Sequence, residues 1–198
     1  MSDRTTLIIT CHPSPASRCA HITRRIAELL EAEGMPVIVD DLAATGFNPV
    51  ISLAELKQYY DDAVPADIAP LVAHLRRATD IFYILPLWMF DMPAILKGYF
   101  DRVFRPHVAF RFVGADIIPM LSHVRNVTVV VTHGRNVEET TRSGDGTQEF
   151  FRRSLPALLQ NLESNARFDL YALDESAQDA DGEMLSALWR HVTRTSQR

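Results

Sequence analysis

The chain of 198 residues lacks most of the features that mark a specialised class. It has two cysteines, Cys11 and Cys19, and a pair in a chain of this size reads as reduced thiols rather than a disulfide framework. Long apolar runs are missing. The stretch near the start, Leu7 to Thr10, is far shorter than a signal-peptide core or a membrane span, so the expectation is a cytoplasmic protein without membrane insertion. A basic stripe is missing too: 20 Lys and Arg are scattered among 25 Asp and Glu for a net charge of −5, which is no footprint of a nucleic-acid binder. There is no internal repeat, low-complexity tract or dividing linker. With 47% apolar and 23% charged residues, the expectation is a single domain over residues 1–198.

What is present is alternation of strand and helix patterns. Apolar, β-branched runs occur at Thr5–Cys11, Val37–Val39, Ile81–Leu85 and Val127–Thr132, with a weaker one at Phe168–Leu173. Runs such as FYIL and VTVVV lack in/out alternation, which suits strands covered on both faces of a parallel sheet. Between the first two, Ile22, Ile26, Leu29 and Leu30 recur at helical spacing and Gly34 follows as a stop. Further helices are predicted at about Leu53–Tyr60, Asp67–Ala78, Pro93–Phe104, Gln148–Leu162 and Gly182–Arg194, with Pro93 suited to a first helical position. In the last of these, Leu185, Leu188, Trp189 and Val192 form the buried stripe. The expected fold is α/β and flavodoxin-like: a five-stranded parallel sheet of order 2-1-3-4-5 with helices on both faces. Ligands of such sheets lie beyond the carboxyl ends of the strands where the winding reverses. The loops to watch are therefore Cys11–Arg18, Pro86–Met92 and Thr132–Gly146.

The first loop, TCHPSPASR, runs from a buried strand into a helix N-terminus. Such an end offers unpaired N–H groups and a positive dipole, so a phosphate held by backbone donors with Ser14 and Ser17 is one reading. Simple capping by Ser17 is the other. A tyrosine-phosphatase loop fits poorly: six residues separate Cys11 from Arg18 where five are needed, and two prolines remove amide donors. The spacings of Cys11, His12, Cys19 and His21 match no common zinc pattern, and no metal is expected.

The most informative stretch is ILPLWMFDMPAILKGYFDRVF, Ile84 to Phe104. Trp88, Met89 and Phe90 at a strand's carboxyl edge suggest a flat apolar ligand, although aromatic residues there commonly just pack. Pro86, Leu87, Phe90, Pro93 to Gly98, Phe100 and Arg102 to Phe104 resemble the signature of the NAD(P)H:quinone oxidoreductase family. His12, Pro13 and Ser17 resemble its phosphate loop. DDLAATGFNPVIS, Asp40 to Ser52, is similar to its second strand and following segment. Ala109, Phe110 and Phe112 fall at its aromatic cluster, and VVVTHGR resembles its loop after the fourth strand. The likeness covers roughly residues 5 to 150.

This resemblance implies a non-covalent FMN or FAD, with NADPH or NADH as electron donor and a quinone or other small molecule as acceptor, in a ping-pong two-electron transfer. It implies phosphate contacts at His12, Ser17, Arg18 and Cys19. The isoalloxazine would lie against Pro86, Leu87, Trp88, Met89 and Phe90 on one side and Thr132, His133, Gly134 and Arg135 on the other. It implies a homodimer in which Phe110 and Phe112 roof the partner's site. His133 is the candidate proton donor, because imidazole as a class exchanges protons near neutrality. The chain departs from the family pattern in Arg18 and Cys19, in Thr-His-Gly-Arg where relatives often carry Thr-Thr-Gly-Gly, and in phenylalanines at 110 and 112 in place of tyrosines. Two other roles share these features, a regulatory subunit of a potassium-efflux-type transporter and a flavodoxin-like electron carrier.

Overall fold

A computed structural model describes residues 4–171 and 178–196. Strand β1 (Thr6–Thr10) leads into helix α1 (Arg18–Ala32), then β2 (Val37–Asp41) and the short helix α2 (Leu53–Lys57). Helix α3 (Ala69–Arg77), β3 (Asp80–Pro86) and α4 (Ala94–Val103) follow. Next come a hairpin of β4 (Phe110–Val113) and β5 (Asp116–Pro119), then β6 (Asn126–Thr132) and α5 (Val137–Ser143). One helical turn, α6 (Thr147–Glu149), runs into a π-helical segment at Phe150–Ser154 and a 3-10 turn at Pro156–Leu158. The described residues end with β7 (Ser164–Leu170) and α7 (Gln178–Ser196).

The main sheet has the order β2-β1-β3-β6-β7, all parallel, which is the expected flavodoxin-like winding. Every residue of β1 and β3 is buried, and this is why those runs show no polar alternation. The alternation is instead between two apolar faces. Leu7, Ile9, Ile81, Tyr83, Val129 and Val131 pack toward α3, α4 and Phe151. Ile8, Phe82, Ile84 and Val130 pack toward Ile22, Ile26 and Leu30 of α1 and Leu188 and Val192 of α7. Gly34, at φ +76°, follows the end of α1 as predicted.

Several boundaries differ from the sequence reading, each for a local reason. The helix expected over Gln148–Leu162 is broken, since Pro156 has no N–H to give and its ring crowds the carbonyl four residues back. The Leu155 amide reaches instead to Phe150 O, at 2.9 Å. Pro93 is the N-cap of α4, one position earlier than predicted. The fifth strand begins at Ser164, four residues early, and ends at Leu170; residues 172 and 173 lie outside the described residues. The β4–β5 hairpin was not anticipated; Gly114, at φ +63°, turns it.

The long excursion between β2 and α3 is pinned to α4 by a buried cation. Arg102 donates from Nε to Glu55 (2.9 Å), from Nη1 to Asn48 O (2.7 Å) and from Nη2 to Asp67 (2.8 Å). Beside it Gly98 lies under Pro49 so closely that a Cβ would fall 2.4 Å from Pro49 O.

Candidate functional site

The loops after β1, β3 and β6 converge at the carboxyl edge of the sheet, where its winding reverses. In the first, Ser17 adopts the extended N-cap conformation and its Oγ accepts from Ala20 N at 3.1 Å, so capping is realised. His12 Nδ1 accepts from Ser14 N (3.0 Å), and its ring meets Trp88 edge-on at 5.6 Å. Arg18 donates to Tyr171 O at 3.3 Å. Cys19 Sγ and Thr132 Oγ1 lie 3.3 Å apart, in hydrogen-bonding contact. Burial pushes the Cys19 thiol up, and burial together with nearby Cys19 and Asp41 pushes Cys11 up further. Both stay protonated at neutral pH, so neither supplies the thiolate that a phosphatase loop requires.

The second loop is a tight turn. Trp88 N donates to Asp91 O (2.9 Å) and Asp91 N to Trp88 O (3.0 Å), while Met89 and Phe90 sit at φ +47° and +66°. A left-handed conformation costs an L-residue roughly 1–2 kcal/mol, and here it turns three large side chains outward. Met89 is 88% exposed, and Trp88 and Phe90 are each above 40%. Backbone strain of this kind clusters at binding sites. The turn is held from two sides, by Leu87 N on Thr132 O (2.9 Å) and by Gly146 N on Phe90 O (2.7 Å). A Cβ at 146 would lie 2.7 Å from Asp91 Oδ2, so the exposed Asp91 side chain would have to shift.

The third loop forms the floor. His133 N donates to Leu170 O (2.8 Å), which buries the imidazole to 1% exposure. Its Nε2 lies 2.8 Å from Asp169 Oδ1, and its ring stacks on Tyr171 at 4.3 Å. Its Nδ1 has no hydrogen-bond partner. Arg135 places its guanidinium 5.6 Å from the centre of the Phe90 ring. Leu87, Met89, Phe90, His133, Gly134 and Arg135 together line a cleft of about 290 Å³, closed at the far side by Thr140, Ser143 and Gly144.

Six of the residues singled out in the sequence thus share one cleft. His12 and Trp88 meet at its margin, and Ser17, Arg18 and Cys19 open α1 beside it. Pro86 ends β3 and Thr132 ends β6. Phe110 and Phe112 do not line the cleft; they pack on each other at 5.5 Å, with Phe112 against Tyr60 at 6.1 Å.

Sequence reasoning missed the residues beneath the floor. Arg167 binds Asp169 through Nε (2.9 Å) and Nη2 (2.8 Å), Thr147 through Nη1 (2.9 Å), and Asp145 through Nη2. Burial alone would raise the Asp169 carboxyl, but hydrogen bonds from His133 and Arg167 and their charge hold it below the usual carboxylate range. Burial would likewise lower Arg167, and its two carboxylate partners raise it instead. Ligand atoms of His133, Asp145 and Asp169 come within 4.8 Å of one another. The Arg167 guanidinium bridges both carboxylates, so the group is organised as an ion-pair knot rather than as a metal centre. The sequence signal was two charges of opposite sign, Arg167 and Asp169, two residues apart and so on one face of a largely polar edge strand.

Fold and site together define a flavodoxin-like α/β protein with a ring-sized cleft at its switch point. The chain belongs to the Flavodoxin_2 family, of flavodoxin-like fold, which it matches over residues 4–180. It is 31% identical over 139 residues to a Haemophilus influenzae protein named as an uncharacterized NAD(P)H oxidoreductase, covering 70% of this chain and 68% of that one. It spans about half the length of other curated relatives that it matches. Among solved structures, it superposes on the NAD(P)H:quinone oxidoreductase from Methanothermobacter marburgensis with a TM-score of 0.79, at 22% identity over 98% of both chains. It superposes on an FMN-dependent NADH-azoreductase from Bacillus anthracis, determined in complex with FMN, with a TM-score of 0.69, at 16% identity over 98% of both. Among the described residues no helix is long and apolar enough to cross a membrane.

Proposed function

We propose that the chain is a flavin-dependent NAD(P)H oxidoreductase that passes two electrons to a quinone or similar electrophile. The observation that carries this reading is the cleft itself. An exposed aromatic turn held in a strained conformation forms one wall, a buried imidazole with an unpartnered nitrogen forms the floor, and the N-terminus of a 15-residue helix opens alongside. These residues fit a flavin. Amides at the start of α1, with His12 and Ser17, suit its phosphate, since helix N-termini hold anions. Leu87 to Phe90 suit one edge and face of the ring, and Thr132 to Arg135 the other side. A flavin bound there supplies reversible hydride acceptance at one ring face, which lets the dihydronicotinamide and the acceptor use the cleft in turn.

The protein's own part is to bind, orient and exclude water. The apolar wall desolvates the ring, and the Arg135 cation near Phe90 favours negative charge in the cleft. The names of the relatives support NAD(P)H as donor and a quinone as acceptor. We further propose a single domain, a cytoplasmic location, and a homodimer in which Phe110 and Phe112 cover the partner's cleft. Phe112, Val113, Ile117 and Met120 are exposed on or next to the hairpin and suit such an interface.

The deciding measurement is the visible spectrum of the purified protein, followed by release and chromatography of the bound flavin. A yellow protein bleached by NADH or NADPH in a stopped-flow instrument and re-oxidised by a quinone is the expected result. A colourless protein that takes up neither FMN nor FAD overturns it. Light scattering of the pure protein tests the dimer.

A further inference from the structure

One face of β7 is polar where the sheet beside it is apolar. Strand β6 pairs with β7 so that Val127, Val129 and Val131 stand beside Asn165, Arg167 and Asp169, and paired residues share one face of a sheet. On β6 that face is buried. One strand further on it is amide, cation and carboxylate, while the opposite face of β7 keeps Phe168 and Leu170 in an apolar cluster. An apolar row would let the covering segment settle onto the sheet. Over the polar row a cavity of about 380 Å³ remains instead.

The cover runs from Thr147 into the π-helical turn, and two bonds to β7 fix its height. Arg167 Nη1 donates to Thr147 Oγ1 and Asn165 Nδ2 to Phe151 O, each at 2.9 Å. Val129 and the Phe151 ring, both buried, give the cavity an apolar floor. Gln148 and Arg152, both exposed, stand at its rim. Among the described residues neither side chain has a hydrogen bond or ion pair, and the carboxylate three residues back, Glu149, is taken by Arg153 at 3.1 Å. Arg167 is committed to Asp169, Asp145 and Thr147. Arg152 is thus the uncommitted charge of the cavity, and it follows Phe151 at the Asn165 end. At the other end Arg167 with two carboxylates sums to one negative charge. Asp169 is held ionised there, so it only accepts hydrogen bonds. None of these lining residues belongs to the cleft beside Phe90.

We propose that this cavity is a second binding site, for a small aromatic monocarboxylate that carries a hydroxyl at its far end. Arg152 takes the carboxylate, since guanidinium and carboxylate meet as planar, bidentate partners. Val129 and Phe151 receive the ring, and the hydroxyl donates to Asp169. The volume suits a one-ring molecule, because small-molecule pockets begin at about 300 Å³. A phosphate dianion fits worse: one free cation faces it, and the far end is already negative. The proposal does not depend on the reading of the cleft as a flavin site, and neither falls with the other.

The test is a titration of the purified full chain with 4-hydroxybenzoate, benzoate and 4-hydroxybenzamide, followed by 1H–15N correlation spectra. Saturable shifts are expected at residues 148–152 and 165–169, including the side-chain amides of Gln148 and Asn165. The expected Kd for 4-hydroxybenzoate is roughly 0.1–1 mM, ordinary for a ligand of that size. The neutral amide is expected to bind about tenfold more weakly, and benzoate, without the hydroxyl, severalfold more weakly. Arg152→Gln, at an exposed position, is expected to remove the advantage of the acid over the amide and leave the spectrum otherwise native. Shifts centred on Leu87–Phe90 and Gly134, with none at the cavity, overturn the proposal, as does an absence of saturable shifts at tenfold the weaker Kd. Equal binding of acid and amide, or unchanged binding to Arg152→Gln, overturns the assignment of an anion to Arg152. Equal binding of benzoate and 4-hydroxybenzoate overturns the role of Asp169.

Discussion

Two arginines, Arg102 buried and Arg167 half-buried, gather carboxylates in this molecule, and they do so in different ways. Arg102 closes on itself: Glu55, Asp67 and Asn48 O take its three nitrogens, and the group ends there, against the aromatic ring of Phe47 at 5.5 Å. Arg167 is equally engaged, yet its carboxylate partner reaches onward to an imidazole whose outer nitrogen has no partner. A saturated knot is an anchor. A knot that ends in a buried, unpartnered nitrogen leaves one polar valence unfilled. The two arginines therefore predict different consequences when they are disturbed.

The largest expected effect is on the anchor. Arg102→Ala leaves Glu55 buried without its cation, a change that costs about 3–5 kcal/mol in comparable settings, and urea unfolding is expected to show it as a marked fall in midpoint. Arg167→Ala is expected to cost less, about 1–3 kcal/mol, because Arg167 and Asp169 are partly open to solvent and the buried Asp145 keeps its hydrogen bonds from Thr147. If Arg167→Ala proves the more destabilising, the assignment of anchor and site is reversed. Next is Gly98→Ala. Its Cβ would meet the backbone of Pro49, at 2.4–2.5 Å, where no side chain can give way, so a loss of about 1–3 kcal/mol is expected from overpacking. Its effect should follow Arg102→Ala, since both loosen the 48–67 excursion from α4.

A smaller effect separates the two knots by pH. The Asp169 carboxyl is held below its unfolded value. The stability it contributes is thus fully present above the unfolded carboxylate range and is lost as pH falls through the lower, folded value. The difference in unfolding free energy between wild type and Asp169→Asn is therefore expected to be constant near neutrality and to shrink in acid. A difference that grows in acid contradicts the ionised, clamped state. The smallest expected effect on stability is that of Ser17→Asp. Aspartate is as good an N-cap as serine, so the thermal midpoint should hardly move, while flavin content falls because a negative charge then faces the phosphate. Unchanged flavin content would place the phosphate elsewhere.

Much of this arrangement could be read from the sequence, and the reasons are local. Leu7 to Ile9, Phe82 to Leu85 and Val129 to Val131 are apolar on both faces because the strands are central, and the switch-point rule then selects the three loops. Cap, turn and stop signals at Ser17, Pro93 and Gly34 act within a few residues and were legible to within one position. The knot was not. His133 and Asp169 are 36 residues apart, and they meet only because β6 and β7 pair with Val131 opposite Asp169 and Thr132 opposite Leu170. A one-residue slip in that register would turn Asp169 to the other face, and nothing in a single sequence fixes it. The π-helical segment was hidden for a related reason. Its apolar spacing reads as an ordinary helix, and the break comes from Pro156, whose effect is felt a full turn earlier.

The amide of Gly146 has a further consequence. It carries the hydrogen bond to Phe90 O, and its own chain neighbour is Asp145, which holds Arg167. Wall and floor are thus joined through a single peptide unit, and a Cβ added at Gly146 would have to displace the exposed Asp91 side chain. Energy exchanged between two such parts is reciprocal. To the extent that a ring on the Phe90 wall shifts the position of Asp145, the charge state below must alter affinity for the ring by the same factor.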